Sequence, residues 1–423
     1  ESDFQAFSRA DHQQIVNTVN YFNPGNATLI TYPSTDHFFA KSGTSQEAYN
    51  KFANGQIQQL FDEYNHEVGL SAVRWSNEIL SKKDEVRLPE KGWKKLNTSR
   101  YPGKQDDITF INENEGWYVN GYGSIYHTKN GGETWEKQLE KKGTFFRCIA
   151  FVDSLRGFAG TVGTDYFPNV TDTIPLYGTT DGGKTWNPVS YSGPYVKGLC
   201  AMDIVREQYI NHGKIDYKIH IYGVGRVGSP ANMMVSHDGG LTWTSNSMNK
   251  DCKMLFDIKM FDKNNGIVCA ASDEDMEKSN ALILKTSDGG KTWKKVYQSN
   301  RPFEGTWKAS FPTKDVGYVT IQSYNPDPNV KQQRIAKTTD GGKTWQEINL
   351  VEDANAREFG IGFIDENHGF VGTMDTGFET KDGGLTWTQV NLGMACNKIR
   401  IYKDANGKIY GYAIGVNVLK GEF

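Results

Sequence analysis

Cysteine is scarce in this chain. Five residues (Cys148, Cys200, Cys252, Cys269, Cys396) are scattered over 423 positions, odd in number and never in a C-x-x-C pair. That pattern argues against a zinc ribbon and against a complete disulfide framework, and reads as small buried thiols. Proline is also sparse, 13 against 45 glycines, so glycine carries the tight turns. Charge of one sign is missing too. A formal net charge of -3 gives no bulk reason to bind nucleic acid or an anionic membrane. No apolar run reaches the roughly 18 residues of a bilayer-spanning helix. There is no initiator methionine, and Glu1 falls inside what reads as a structured segment, so sequence upstream of Glu1 is expected.

Aromatics, by contrast, are plentiful: 22 Phe, 21 Tyr and 10 Trp, a content that suits a packed β-rich core. Six eight-residue boxes recur: TKNGGETW, TTDGGKTW, SHDGGLTW, TSDGGKTW, TTDGGKTW and TKDGGLTW. They carry Asn130, Asp181, Asp238, Asp288, Asp340 and Asp382, and end at Trp135, Trp186, Trp243, Trp293, Trp345 and Trp387. A seventh unit at Trp93 has the following strand without the box. Successive tryptophans lie 42 to 57 residues apart, the spacing of four-stranded blades. Between boxes the grammar repeats. A strand ends in a turn such as FINENEGW or FIDENHGF, a second strand follows, a third leads into the box, and a fourth begins at the Trp.

The box has a physical reading as scaffold. Its glycines allow positive φ, its Asp or Asn accepts hydrogen bonds from its own turn, and its Trp can pack between blades. One carboxylate per turn is too few to hold calcium, so neither metal nor cofactor is expected.

The pattern S/T-x-D-G-G-x-T-W resembles the Asp-box, or BNR, repeat. That repeat occurs in sialidases, sortilin-type receptors, xyloglucan-cleaving glycosidases and the photosystem II assembly and stability factor family. The resemblance covers residues 91–423 and implies a mainly β fold. Seven inner strands can be counted, near Ile108, Ile149, Ala201, Ile258, Ala309, Ile361 and Ile399. The strand at Trp93 would complete the last blade, giving a closed seven-bladed β-propeller.

In such a ring the boxes occupy one face. The other carries long loops in four consecutive blades, TDYFPNVTDTIP, GVGRVGSPAN, SDEDMEKSN and SYNPDPNVKQQ, where binding is expected. Tyr166, Arg226 and Tyr324 stand in these loops. Basic residues recur near the start of the inner strands, namely Arg147, Lys197, Lys253, Lys308, Arg357 and Lys398. At a common height they would form a positive collar around the channel mouth, suited to an acidic peptide tail or a carboxylate. The photosystem assembly family is similar in using a basic surface for a protein client. A sialidase would need an early F/Y-R-I-P motif, and a glycosidase needs two placed carboxylates; the crowded loop of Asp273, Glu274 and Asp275 is the only acidic candidate.

The first 68 residues do not repeat. They read as helix, strand, Asp-His and helix, the second helix capped by Ser45. This resembles the C-terminal end of an α/β-hydrolase, which implies Asp3 as the triad acid and His37 as the base, 34 residues apart. The family's G-x-S-x-G nucleophile is absent from the chain, so a serine would have to come from upstream of Glu1. Residues 69–90 read as a charged linker. Three functions stay open. One is an extracytoplasmic propeller (periplasmic, cell-surface or secreted) that binds or scaffolds a protein, peptide or glycan without catalysis. The others are the C-terminal part of a serine hydrolase, peptidase or esterase, and a polysaccharide-active propeller.

Overall fold

The computed structural model describes residues 92–423 except Pro102, Gly213 and Ala405, and upstream of these only Asn54. The chain divides into two compact units, Glu1–Arg87 and Leu88–Phe423. The expected α/β segment, with Asp3 and His37, and the expected linker lie outside the described residues.

The described residues contain no helix. They form seven four-stranded antiparallel sheets, six of them built in chain order from inner to outer strand. Blades 1 to 6 span residues 105–140, 146–188, 201–247, 254–298, 304–352 and 358–390. Blade 7 takes three strands from residues 398–422 and its outermost strand from Trp93–Lys95, which pairs in register from Trp93↔Gly421 to Lys95↔Leu419. The two ends of the ring thus share one sheet, and no sheet edge is left open between first and last blade.

Each blade must bury both faces of its sheet against its neighbours. Seven apolar clusters do so, one per interface, and each includes the tryptophan of the following blade. Trp135 sits with Tyr410 and Tyr412 between blades 7 and 1, Trp243 with Phe158 and Met202 between blades 2 and 3, and Trp93 with Phe370 and Leu392 between blades 6 and 7. The repeated turn sets each tryptophan in place. In the box of blade 2, Thr179 Oγ1 accepts from Gly183 N (2.9 Å) and donates to Asp181 Oδ1 (2.8 Å). Asp181 Oδ1 in turn accepts from Thr185 N (2.9 Å). Gly182 and Gly183 hold φ of 76° and 91°, which only glycine adopts without strain. The same bonds recur in the other boxes, for example around Thr338 and Asp340. The Thr344 hydroxyl and amide hold the Asp340 carboxyl down at about 2.

Inner strands are stitched to one another by side chains. Asp107 Oδ2 accepts from Ile149 N (3.1 Å), Asp203 Oδ2 from Met260 N (2.7 Å) and Asp257 Oδ2 from Ala309 N (3.1 Å). Ser310 Oγ accepts from Phe363 N (2.9 Å), and Tyr402 OH from Phe110 N (2.9 Å), the latter joining blade 7 to blade 1. These bonds satisfy backbone donors that face the axis and have no ladder partner.

Blade 3 departs from the repeat. Its first two strands, Ala201–Asn211 and Lys214–Gly225, pair over eleven positions and run past the blade on the box face. Ile210 and Ile215, opposite each other at the far end, are 78% and 62% exposed. All five cysteines are free and buried.

Trp93 is 5% exposed and belongs both to the last interface and to the closing strand. Trp93→Ala is expected to cost about 3–5 kcal/mol in urea unfolding. A loss below 1 kcal/mol would mean that closure does not depend on this strand.

Candidate functional site

The site begins with a break in strand pairing. In five of the seven inner strands a β-bulge falls near the start of the strand, on the long-loop side. Pairing passes from Gln105 to Asp107, Phe146 to Cys148, Leu255 to Asp257, Thr306 to Ala309 and Glu358 to Ile361. The residues left out of register are Asp106, Arg147, Phe256, Trp307 with Lys308, and Phe359 with Gly360. A bulge re-aims the side chain of its extra residue. Here the re-aimed groups meet at the axis and fill the channel under the long loops.

Arg147 of blade 2 is the hub. Its Nη1 donates to Asp106 of blade 1 (2.7 Å) and its Nη2 to Asn397 ahead of blade 7 (3.2 Å). Its guanidinium lies 5.6 Å from the Trp307 ring of blade 5, across the ring. Asn397 Nδ2 donates to the Asp106 carbonyl (2.8 Å). Lys104 Nζ stands 3.5 Å from the same Asp106 carboxylate. Lys308 Nζ donates to Phe256 O (2.5 Å) and lies 4.0 Å from Asp257 and 5.4 Å from the Trp307 ring. Lys398 pairs with Asp107 (2.8 Å), as does Arg400 (3.1 Å).

The plug therefore holds five cations (Lys104, Arg147, Lys308, Lys398, Arg400) against three carboxylates (Asp106, Asp107, Asp257). Burial pushes the Lys104 amine down to about 7, and the neighbouring Arg147 adds to the shift. Burial likewise takes Lys398 down to about 8 against the pull of Asp107, and it lowers Lys308. Burial would raise Asp107, but Arg400 and Lys398 hold it below the usual carboxylate range.

The expected collar takes a different form from a ring of solvated side chains. Arg147, Lys308 and Lys398 are 5%, 2% and 3% exposed, sunk in the plug with acidic or carbonyl partners. The bulges carry Arg147 and Lys308 inward, where a regular strand end would have left them in water. Lys253 is exposed and bonds the Asn249 carbonyl (2.9 Å), outside the cluster. Lys197 pairs with Asp165, and Arg226 Nη1 donates to the carbonyls of Val162 (2.9 Å) and Thr164 (2.6 Å). These two residues hold the blade 2 loop in place.

That loop carries Tyr166 over the mouth. Burial raises the Tyr166 hydroxyl, against the charges of Arg147, Arg357 and Arg226 close to it. Burial also raises Tyr324, to about 12, with Arg357 and Tyr166 among its neighbours. The Arg357 guanidinium sits 4.9 Å from the Tyr324 ring and 5.2 Å from the Phe359 ring. Of the residues expected from sequence, Arg147, Arg226, Arg357, Tyr166 and Tyr324 thus converge, with Lys308 and Lys398 beneath them. Lys104, Asp106, Trp307, Phe359 and Asn397 were not singled out from the sequence. For Asp106, Trp307 and Phe359 the signal was a polar or bulky side chain out of phase with the alternation of a buried strand; Lys104 and Asn397 stand just ahead of their strands.

Buried donors here without a hydrogen-bond partner include Trp307 Nε1, Arg226 Nε and Arg357 Nε. Toward the box face the channel widens into a cavity of about 440 Å³ lined by Asp203, Arg206, Arg400 and Tyr402 among others. Among the described residues no helix is long and apolar enough to cross a membrane.

Comparison with known proteins gives a fold and a partial family likeness. The model of the sortilin, neurotensin receptor 3 family matches residues 231–371. The Saccharomyces cerevisiae protein YCR100C, itself uncharacterized, is 23% identical over 167 residues, which are 33% of this chain and 50% of the yeast protein. The chain thus spans half the length of that relative. Among solved structures, YCF48 bound to D1 peptide superposes with a TM-score of 0.54 at 15% identity, over 80% of this chain and 96% of that one. YCF48 from Cyanidioschyzon merolae also reaches 0.54, at 16% identity, over 78% and 98% of the two chains. The extracellular domain of the putative hybrid two component system BT4673 from B. thetaiotaomicron reaches 0.51 at 9% identity, over 77% and 39%. At these identities the likenesses speak for the propeller fold.

The plug divides its cations by role. Arg147→Ala leaves Asp106 buried with only Lys104 nearby and is expected to cost about 3 kcal/mol in chemical denaturation. Arg357→Ala removes a rim cation without a carboxylate partner and should cost about 1 kcal/mol or less. Equal losses for the two would contradict this division.

Proposed function

We propose that the protein is a binding and scaffolding propeller whose long-loop face takes an acidic segment of a protein or peptide at the channel mouth. The observation that carries this reading is the surplus of positive charge held there: Lys104, Arg147 and Lys308 against Asp106 and Asp257, with Arg226 and Arg357 above them. Cations in a water-poor mouth attract a carboxylate more strongly than exposed lysines do. The aromatic groups Tyr166, Tyr324 and Phe359 offer apolar contact beside the charge. A peptide as ligand class is supported by YCF48, a protein of like fold described with D1 peptide bound. The acidity of the ligand is inferred from this chain's own charges.

A polysaccharide-active reading has less support, because each plug carboxylate is committed to a cation or to a backbone amide, and none is left as an acid/base pair. A serine-hydrolase contribution rests on Asp3, His37 and a nucleophile from elsewhere. A serine-reactive probe on the full gene product tests it, and the propeller reading does not depend on the answer. An extracytoplasmic setting belongs to the same proposal and is tested by protease accessibility on intact cells.

Binding should take up protons. A bound carboxylate raises the lysines that now sit at about 7 and about 8, Lys104 and Lys398. Affinity is then complete below about pH 7 and falls as pH rises through 7 to 9. Fluorescence anisotropy with a labelled Asp/Glu-rich peptide measures this. Arg357→Ala should weaken binding about tenfold, the loss of one charge-assisted hydrogen bond. A basic peptide of equal length that binds as well as the acidic one would overturn the reading.

A further inference from the structure

The face that carries the boxes is less uniform than its repeat. It holds a cleft of about 360 Å³ between blades 3 and 4, and one of about 1020 Å³ between blades 1 and 2. Both are built from equivalent positions. Asp181 and Lys184 of the blade 2 box answer to Asp288 and Lys291 of the blade 4 box, and Ser154 to Lys263. Glu136, next to Trp135, answers to Thr244, next to Trp243, and Lys129 to His237. The long hairpin of blade 3 brings Lys218 and His220 where blade 1 has a turn with Glu113 and Glu115. The blade 1–2 cleft is mixed in sign: Glu113, Glu115, Glu136 and Asp181 offset its three lysines and one histidine. In the blade 3–4 cleft, Lys218, Lys263, Lys291 and two histidines share the space with one carboxylate, Asp288. That carboxylate is committed to its own turn, accepting from Thr292 N (2.9 Å) and Thr292 Oγ1 (2.6 Å). Lys263 is held by Glu207 (2.7 Å). Lys218 and Lys291 are exposed and have no ion-pair partner among the described residues.

The histidines set the chemistry of the cleft. His220 is 2% exposed; its Nε2 lies 3.2 Å from Glu207 Oε2 and its Nδ1 2.8 Å from His237 Nδ1. Bonds from Lys263 and His220 hold the Glu207 carboxyl below its usual range. Glu207 therefore accepts, and His220 Nε2 carries a proton. With both rings neutral, His220 Nδ1 accepts in turn from His237 Nδ1–H. His237, exposed on the cleft, is left with a lone pair on Nε2 that no described residue engages.

We propose that this cleft binds a phosphomonoester, its oxygens taken by Lys218 and Lys291 and its one P–O–H donated to His237 Nε2. The lysines act as point charges on the tetrahedral anion. The space exceeds a phosphate group and leaves room for the organic part of the ester. At pH 7 about a tenth of a phosphomonoester carries the needed proton, its second pKa being about 6. A sulfate ester has no such proton and depends on protonation of His237. Burial, His220, Lys218 and Lys291 oppose that protonation, and Asp238 favours it. Lys263 and Asp288 complete the charged surroundings, and the Tyr222 ring stands edge-on, 6.1 Å from the His237 ring. The cleft lies on the face opposite the channel mouth, so this inference stands whether or not a peptide binds there.

Histidine ring resonances of the full chain test this by titration with phenyl phosphate, phenyl sulfate and inorganic phosphate. His237 is assigned by its loss in His237→Asn. At pH 7 phenyl phosphate should shift the His237 ring saturably and bind about tenfold tighter than phenyl sulfate, the difference of one charge-assisted hydrogen bond. The gap should close as pH falls toward 5 and His237 becomes charged. Lys291→Ala should weaken phenyl phosphate about tenfold, whereas Lys184→Ala, the equivalent change in the blade 1–2 cleft, should leave it unaltered. Both lysines are exposed, so both variants keep the fold. Phenyl phosphate binding tighter than inorganic phosphate marks an ester as the ligand; equal affinity would overturn the ester and leave free phosphate. No saturable shift of His237, or equal losses from Lys291→Ala and Lys184→Ala, would overturn the site. Equal affinity for the phosphate and sulfate esters at pH 7 would overturn the shared proton.

Discussion

Everything described here depends on closure of the ring. Seven wedge-shaped sheets form a stable disc only if the last meets the first, and that meeting is made by three residues, Trp93–Lys95, against the C-terminal strand. With the circle closed, each blade has two neighbours, each interface has its tryptophan, and the inner strands are forced to one axis. Seven converging strands leave a hole whose lining must be satisfied by something. The carboxylates of Asp107, Asp203 and Asp257 answer part of that demand by accepting amides from the next blade.

The bulges answer the rest, and in doing so they create chemistry. A regular inner strand alternates between the two blade interfaces and sends little toward the axis. An extra residue breaks that alternation and turns its side chain inward. Five blades use this device near the loop-face ends of their inner strands, and they contribute an acid, a guanidinium, an ammonium and three aromatic rings. The structural demand for a filled centre and the supply of charge under the long loops are met by the same residues.

Much of the architecture was legible in the sequence, because the box is a local signal. Its hydrogen bonds lie within a few residues, and its glycines and tryptophan declare themselves by identity. The channel mouth was only half legible. Arg147 and Lys308 could be seen as basic residues at strand starts, but their depth could not, since a bulge is a tertiary choice that shifts the period by one residue. Asp106 and Asp107 look like a polar strand entrance until the ring brings Arg147, Lys398 and Arg400 to them from other blades. The long hairpin of blade 3 was missed for the opposite reason: it lacks the turn motif that marks the other blades.

The crossing of Arg147 from blade 2 to the Trp307 ring of blade 5 has a geometric consequence. It turns a ring into a cup. A polymer cannot thread through a disc whose centre is shut, so whatever enters from the loop face must stop or turn back. Under the proposed function, what this mouth would take is the tip of a chain, or a tight bend in one, rather than an unbroken middle.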